Sequence, residues 1–170
     1  MPTTLRSARR QAGFTLIEMV AATAAIGVLT AAVLPKVTAL GGAAREASMQ
    51  AAGGALMTVA ATAHGRFLVH GGAAQALEDV TVPLVYGYPA AVPATAAAAG
   101  LAKGYTVYTD VSAPTDTTPA VAAGTMSLVH NSIAGTPRAV RCYLVYTQSP
   151  GPESPPQVAA GGNTTPGNCA

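Results

Sequence analysis

The sequence predicts an α+β fold in which one long N-terminal helix packs on an antiparallel sheet of about four strands. A long apolar run near the N-terminus continues into an amphipathic helical pattern, and the later part of the chain has short alternating segments separated by turn-rich spacers. Half of the 170 residues are hydrophobic, but aromatic residues make up only 5%. Much of this hydrophobicity is alanine, so we expect one soluble domain with a modest core.

The first element is an apolar segment that is long enough to cross a membrane. Residues 14–34 carry a single charge, that of Glu18, and they follow a leader, residues 1–13, that contains three arginines. At about 1.5 Å per residue, a helix of this length crosses the ~30 Å hydrocarbon core. Because Lys and Arg are retained on the cytoplasmic face, we expect a single pass with a cytoplasmic N-terminus and everything after Pro35 outside.

The carboxylate of Glu18 is the anomaly of this segment. A carboxylate at such a position costs ~2.5–3.5 kcal/mol on insertion scales and usually marks a function with a partner. No Lys or Arg lies between Glu18 and Lys36, so the segment holds no counter-ion of its own. The partner must come from another chain or from a charge that processing creates.

The hexapeptide GFTLIE at residues 13–18, after a short basic leader, resembles the processing motif of type IV prepilins and type II secretion pseudopilins. The resemblance implies that prepilin peptidase cuts between Gly13 and Phe14 and methylates the new amine of Phe14. It also implies that Glu18 faces the N-terminus of a neighbouring subunit during filament assembly. A secretory signal would place its small-residue site after the apolar region, whereas Gly13 precedes it, and a plain anchor has no need of the acid.

This interpretation divides the chain into three parts. Residues 1–13 are a cleaved basic leader, and residues 14–34 are the transmembrane half of the helix, which would also form the filament core. Residues 35–170 are a periplasmic or extracellular globular domain.

The helical pattern continues beyond the membrane segment. Pro35 removes a backbone donor and predicts a kink or local unwinding. We expect one helix from about Thr15 to about His64, ending near Gly65. Its second half is amphipathic, with an apolar stripe made by Met49, Leu56, Val59, Ala63 and Phe67.

Two glycine pairs interrupt the second half of this helix. Gly41-Gly42 and Gly53-Gly54 weaken it by up to ~1 kcal/mol per residue relative to alanine. Close helix–helix approach and flexibility are equally good explanations of these pairs.

Four later segments have strand character. Residues 104–111, 124–130 and 138–148 alternate in hydrophobicity and predict an antiparallel meander that covers the amphipathic half of the helix. Residues 80–86 predict an edge strand, because Pro83 lacks the donor that a central strand needs. The stretch LVYGYPAAVPATAAAAGL, residues 84–101, more loosely resembles a GYP-containing stretch of some pilins of the mannose-sensitive haemagglutinin group.

Two cysteines, Cys142 and Cys169, lie beyond the membrane segment. With the expected topology both reach an oxidising compartment, where a pair is more often a disulfide than a metal site. The bridge would enclose 26 residues and stabilise the domain by about 3.5 kcal/mol in the loop-entropy account. It would turn residues 149–170, which are rich in Pro, Gly and Ser, into a closed surface loop. This arrangement resembles the C-terminal, cysteine-bounded loop that follows the sheet in pilins.

The sequence gives no support for catalysis, metal binding or nucleic-acid binding. The formal charge is +2, and loss of the three leader arginines leaves six basic and seven acidic side chains. His64, His70 and His130 have no Cys, Asp or Glu at ligand spacing, and there is no nucleophile or phosphate-loop motif. We therefore predict a protein that is not an enzyme and has no cofactor.

The resemblance implies a structural subunit of a type IV pilus, made as an inner-membrane prepilin and then assembled into an extracellular filament. Its partners would be other copies of the chain, prepilin peptidase, the pilus assembly platform and minor pilins. A minor pilin or a type II secretion pseudopilin is the nearest alternative, and a pilus adhesin or DNA-uptake subunit is an alternative of a different class. The cysteine-bounded tail favours the pilus, and the scarcity of basic residues after Lys36 disfavours DNA uptake.

Overall fold

The computed structural model describes residues 14–170, and it confirms the predicted α+β class. The chain forms two compact units, one that ends at Val37 and one that spans Thr38–Ala170. Helix α1, Leu16–His70, contributes its first part to the former unit and its second part to the latter. The helix is continuous through Pro35, so the chain does not unwind there; a bend at this proline stays a prediction.

In the second unit, α1 buries one face against the sheet residues described below. Three members of the predicted stripe, Met49, Leu56 and Ala63, are buried, whereas Val59 and Phe67 are only half-buried. Small residues complete the buried face: Gly42, Ala52, Gly53 and Ala60.

The helix extends beyond the end that the sequence predicted. Gly65 is an exposed residue inside α1, and the helix ends at His70. The stop is Gly71, which adopts a left-handed backbone (φ +65°) and donates its N–H to the Phe67 carbonyl at 2.7 Å. A glycine inside a helix costs ~1 kcal/mol but does not end it, whereas a left-handed residue that caps the last carbonyls does.

A small three-stranded sheet follows, made by β1 (Ala74–Leu77), β2 (Val80–Val85) and β3 (Tyr88–Pro89) in that order. The predicted edge position of β2 is wrong, because β2 is the central strand. The donor that Pro83 lacks would point at the carbonyl of Ala90, and that carbonyl already accepts from Val92 N–H and from the buried Thr95 hydroxyl. The sheet therefore loses no hydrogen bond by having a proline there.

The GYP stretch forms the β2–β3 turn and fixes it against the end of α1. Gly87 has a left-handed backbone (φ +82°) and lies under the Phe67 ring, where a Cβ would overlap the ring atoms. Tyr88 stacks on His64 with ring centroids 3.9 Å apart, and the Pro89 carbonyl accepts the Tyr146 hydroxyl at 2.7 Å. The motif therefore holds the two sheets and the helix together.

After the short helix α2 (Pro93–Ala98), four strands form the main sheet: β4 (Tyr105–Thr109), β5 (Thr125–His130), β6 (Cys142–Thr147) and β7 (Gln157–Gly162). They are antiparallel neighbours in chain order, which confirms the predicted meander. Side chains of β5 and β6 (Met126, Leu128, Leu144 and Tyr146) share one buried cluster with Met49 and Leu56 of α1.

Residues 149–170 differ from the predicted closed loop. Strand β7 pairs with β6 along six residues, and a last short helix, α3 (Pro166–Cys169), follows it. Gly161 lies directly against the Tyr143 ring, where any side chain would clash, so the glycine that weakens the strand pattern is what lets the two strands approach. The predicted Cys142–Cys169 disulfide is present, with both cysteines fully buried.

Candidate functional site

The start of α1 holds the residues that the sequence singled out. Phe14 precedes the helix and is 86% exposed, and Thr15 is the last residue before the first helical position, Leu16. Glu18 is the third residue of the helix. Gly13 and the basic leader lie outside the described residues.

The carboxylate of Glu18 folds back on the first turn of its own helix. Its Oε2 accepts the backbone N–H and the hydroxyl of Thr15, both at 2.8 Å. In return, the Thr15 hydroxyl accepts the backbone N–H of Glu18 at 3.3 Å. This reciprocal arrangement is a capping box, which satisfies donors that a helix N-terminus otherwise leaves unpaired.

The other carboxylate oxygen, Oε1, has no hydrogen-bond partner among residues 14–170. No ion pair involves Glu18 within the same residues, and the next charged residue along the chain is Lys36. Glu18 is therefore held in position at one oxygen and free to accept a further donor at the other. The position is one turn from the Phe14 nitrogen, which cleavage after Gly13 would turn into an amine.

The role of Thr15 was missed by the sequence analysis. The signal was present as the spacing Thr-x-x-Glu at residues 15–18, immediately before an apolar run, which is the pattern of a capping box. Glu18 therefore has a second function besides its charge, which is to close the helix N-terminus.

Between Glu18 and Lys36, α1 carries no charged residue and is apolar on all sides. Every described residue up to Val37 is exposed, and the exposed fraction reaches 82% at Leu16, 72% at Val28 and 64% at Leu29. Within residues 14–170, α1 is the one helix that is long and apolar enough to cross a membrane, as judged by length and composition. A helix that is apolar all round requires a membrane or other protein around it.

Two of the three histidines have structural surroundings, and the third, His70, is an exposed residue at the end of α1. His64 contacts the Gly87 carbonyl at 3.1 Å, and His130 contacts the Ser132 hydroxyl at 2.9 Å. His130 and Ser132 form a local turn, because the Ser132 N–H also donates to His130 Nδ1. The Ser132 hydroxyl in addition accepts a hydrogen bond from Arg45 Nε. No group of three or more His, Cys, Asp or Glu residues suited to a metal occurs between residues 14 and 170.

Comparison with known proteins relates the N-terminal segment to one protein family. The family described as the prokaryotic N-terminal methylation motif matches residues 8–34, the signature shared by type IV pilins and pseudopilins. No curated protein and no solved structure matches the chain. The matched residues include Phe14, the capping pair and the whole apolar segment, and together they fit a prepilin that is anchored in the inner membrane.

Proposed function

We propose that this chain, which carries the N-terminal methylation motif of type IV pilins and pseudopilins, is a structural subunit of a type IV pilus. Prepilin peptidase cleaves it between Gly13 and Phe14 and methylates the Phe14 amine. The mature chain then leaves the inner membrane and polymerises through the apolar part of α1. The match at residues 8–34 carries this proposal.

The geometry around Glu18 supports the assembly step. A carboxylate and a newly formed amine are each costly in an apolar environment, and their pairing removes much of that cost. Thr15 occupies Oε2 of the carboxylate and leaves Oε1 available, so the amine of a neighbouring copy has an acceptor already oriented at the helix start. Attraction between this pair and burial of the apolar helix surface would together favour assembly.

The disulfide-bounded C-terminus favours a pilus over a secretion pseudopilin. Residues 38–170 form a compact unit of their own, and the Cys142–Cys169 disulfide ties its last residues to β6. This stabilisation suits a domain that stays outside the cell. Pseudopilins share the motif, so a minor pilin or a pseudopilin is the alternative.

Two measurements test the proposal. The intact mass of purified filaments should correspond to a chain that begins at Phe14 with one methyl group. Electron microscopy should show that surface filaments disappear when the gene is deleted and return when it is restored. A mature species that retains the basic leader, or a deletion that leaves the filaments unchanged, would contradict it; filaments confined to the periplasm would identify a pseudopilin.

A further inference from the structure

The register of the main sheet shows which of its connections lie together. Tyr105, the first residue of β4, pairs with His130, the last residue of β5, and Leu128 pairs with Leu144 of β6. The first residue of β6 therefore follows in the same row, and it pairs with Gly162 at the end of β7. Strands β4 and β6 begin, and strands β5 and β7 end, at this end of the sheet.

The two ends of the main sheet carry opposite charges. Lys103 lies in the segment before β4, Arg138 and Arg141 lie in the connection between β5 and β6, and all three are exposed. These segments contain no acidic residue, and neither does the segment after β7. The two connections at the opposite end contain exposed acidic residues and no basic residue: Asp110, Asp116 and Glu153. We call these the basic end and the acidic end.

Helix α1 enters the second unit at the basic end. Arg45 donates to the Ser132 hydroxyl, in the connection between β5 and β6, at 2.9 Å. One turn later, the hydroxyl of Ser48 is 2.6 Å from that of Tyr105 at the start of β4. Glu46 follows Arg45 and offsets its charge, so the exposed cations of the connections decide the charge of this end.

The chain connects the basic end closely to the apolar segment. Arg45 follows Leu34, the last residue of that segment, by eleven residues, which is roughly 17 Å along a helix. The headgroup layer takes up about 5–8 Å of this distance, and the remainder is close to the Debye length of ~8–10 Å. When the apolar segment spans the membrane, the basic end is therefore within electrostatic reach of the headgroups.

Other copies of the chain are a more distant source of negative charge in the membrane. Copies that span one membrane share one orientation, so every acidic end lies at the side of the main sheet that is remote from the membrane. The basic end of one copy therefore meets lipid headgroups before it meets the acidic end of another copy.

We propose that the basic end of the second unit docks on anionic phospholipid headgroups of the inner membrane before assembly. The inference rests on the proposed function, because it requires the apolar segment to span the membrane. Each Lys or Arg near an anionic surface raises the ratio of docked to undocked domain about fivefold. If the chain terminates at Ala170, the carboxylate there offsets one of the three cations, and the other two give about 30-fold. The same surface repels the acidic end and so favours one orientation.

Lysine labelling of the full-length chain in nanodiscs tests the docking, because Lys103 is the only lysine after Lys36. With one copy per disc, acetylation of Lys103 should be about fivefold slower in equal parts of phosphatidylglycerol and phosphatidylcholine than in phosphatidylcholine alone. At ~1 M salt, where the Debye length is ~3 Å, the two rates should become equal. A lysine added at the acidic end, Ala113→Lys, is the control and should react at the same rate in both lipids.

Charge variants separate docking from simple closeness to the membrane. Arg141→Glu should weaken the protection of Lys103, and the further change Arg138→Glu should abolish it, whereas lysine at both positions should preserve it. Arg66→Glu is the matched control for Arg141→Glu, because it makes the same charge change at an exposed residue near the C-terminal end of α1, and it should leave the protection unchanged. Thermal midpoints equal to that of the wild type verify that the variants are folded.

The outcomes separate this inference from the proposed function. Equal labelling of Lys103 in both lipids, or protection that survives the double reversal, would overturn the docking and leave the pilus subunit intact. Protection that requires a second copy in the disc, whatever the lipid charge, would overturn it and identify a contact between copies. A full-length chain that did not insert into the discs would contradict both proposals, whereas surface filaments that persist after deletion of the gene would contradict the proposed function alone.

Discussion

The two glycine pairs of α1, Gly41-Gly42 and Gly53-Gly54, offer a test of how closely this helix packs on the rest of the second unit. In each pair one glycine faces open space and the other faces protein. A Cβ at Gly41 or Gly54 would meet almost nothing. A Cβ at Gly42 would overlap the Pro166 carbonyl and approach the Ala170 backbone, whereas one at Gly53 would lie 3.1 Å from a methyl carbon of Val158.

Because of these different surroundings, the same Gly→Ala substitution should raise the folding stability at some of these positions and lower it at others. At Gly41 and Gly54 alanine should stabilise the domain by up to ~1 kcal/mol, the difference in helix propensity. At Gly42 the same gain is opposed by overpacking, typically ~1–3 kcal/mol. We expect the upper end, because the obstructing atoms are backbone held next to the Cys169 disulfide, so the net loss is about 2 kcal/mol. At Gly53 the Val158 methyl must shift by a few tenths of an ångström, which should offset the gain in helix propensity and leave the stability nearly unchanged.

The assay is thermal unfolding of the full-length chain in detergent, followed by the circular dichroism of the tyrosines. A difference of ~3 kcal/mol between Gly41→Ala and Gly42→Ala corresponds to a separation of the midpoints by about 6–24 °C. Equal midpoints for these two variants would refute the close contact between α1 and the C-terminal residues. A large loss at Gly54→Ala would refute the assignment of open space there.

Three further predictions concern the second unit. Cys169→Ser should lower the free energy of unfolding by about 3 kcal/mol in a denaturant titration, and equal midpoints for variant and wild type would count against the bridge. Burial raises the pKa of the Tyr146 phenol, so the contribution of this residue to folding stability should be constant below pH ~10 and fall as the pH rises above it; Tyr146→Phe should make the alkaline loss of stability in urea titrations less steep. Ser127 has a buried hydroxyl with no hydrogen-bond partner in the described chain, so Ser127→Ala should keep or raise the thermal midpoint, and a clear loss would reveal a hidden partner.

Periodicity and charge predicted the parts of the fold that depend on them. Cys142, Leu144 and Tyr146 alternate along β6 and are buried as their spacing requires. Met126 and Leu128 of β5 are buried too, but so are Ser127 and Val129 on the other face of the strand, which the alternation did not predict. The Cys142–Cys169 disulfide was predictable for a different reason: these are the chain's two cysteines, and both were expected to reach an oxidising compartment.

The features that were missed depend on partners far away in sequence. Strand β7 has the sequence QVAAGG, which has little strand propensity, and it forms because six residues pair with β6. Strand β2 tolerates Pro83 at its centre because Thr95 and Val92 satisfy the Ala90 carbonyl instead. Thr15 was different, because its spacing to Glu18 was readable and only its meaning was overlooked.

The role of Glu18 is the centre of the proposed assembly, and two substitutions in cells that make no other subunit test it. Glu18→Ala removes the carboxylate, and Glu18→Gln keeps its shape and removes its charge. Both variants should insert in the membrane and lose their leader. The measurement is the yield of sheared filaments relative to the membrane-bound pool. We predict an undiminished membrane pool and almost no filaments from either variant; normal filaments from both would contradict the pairing of Glu18 with a neighbour's amine.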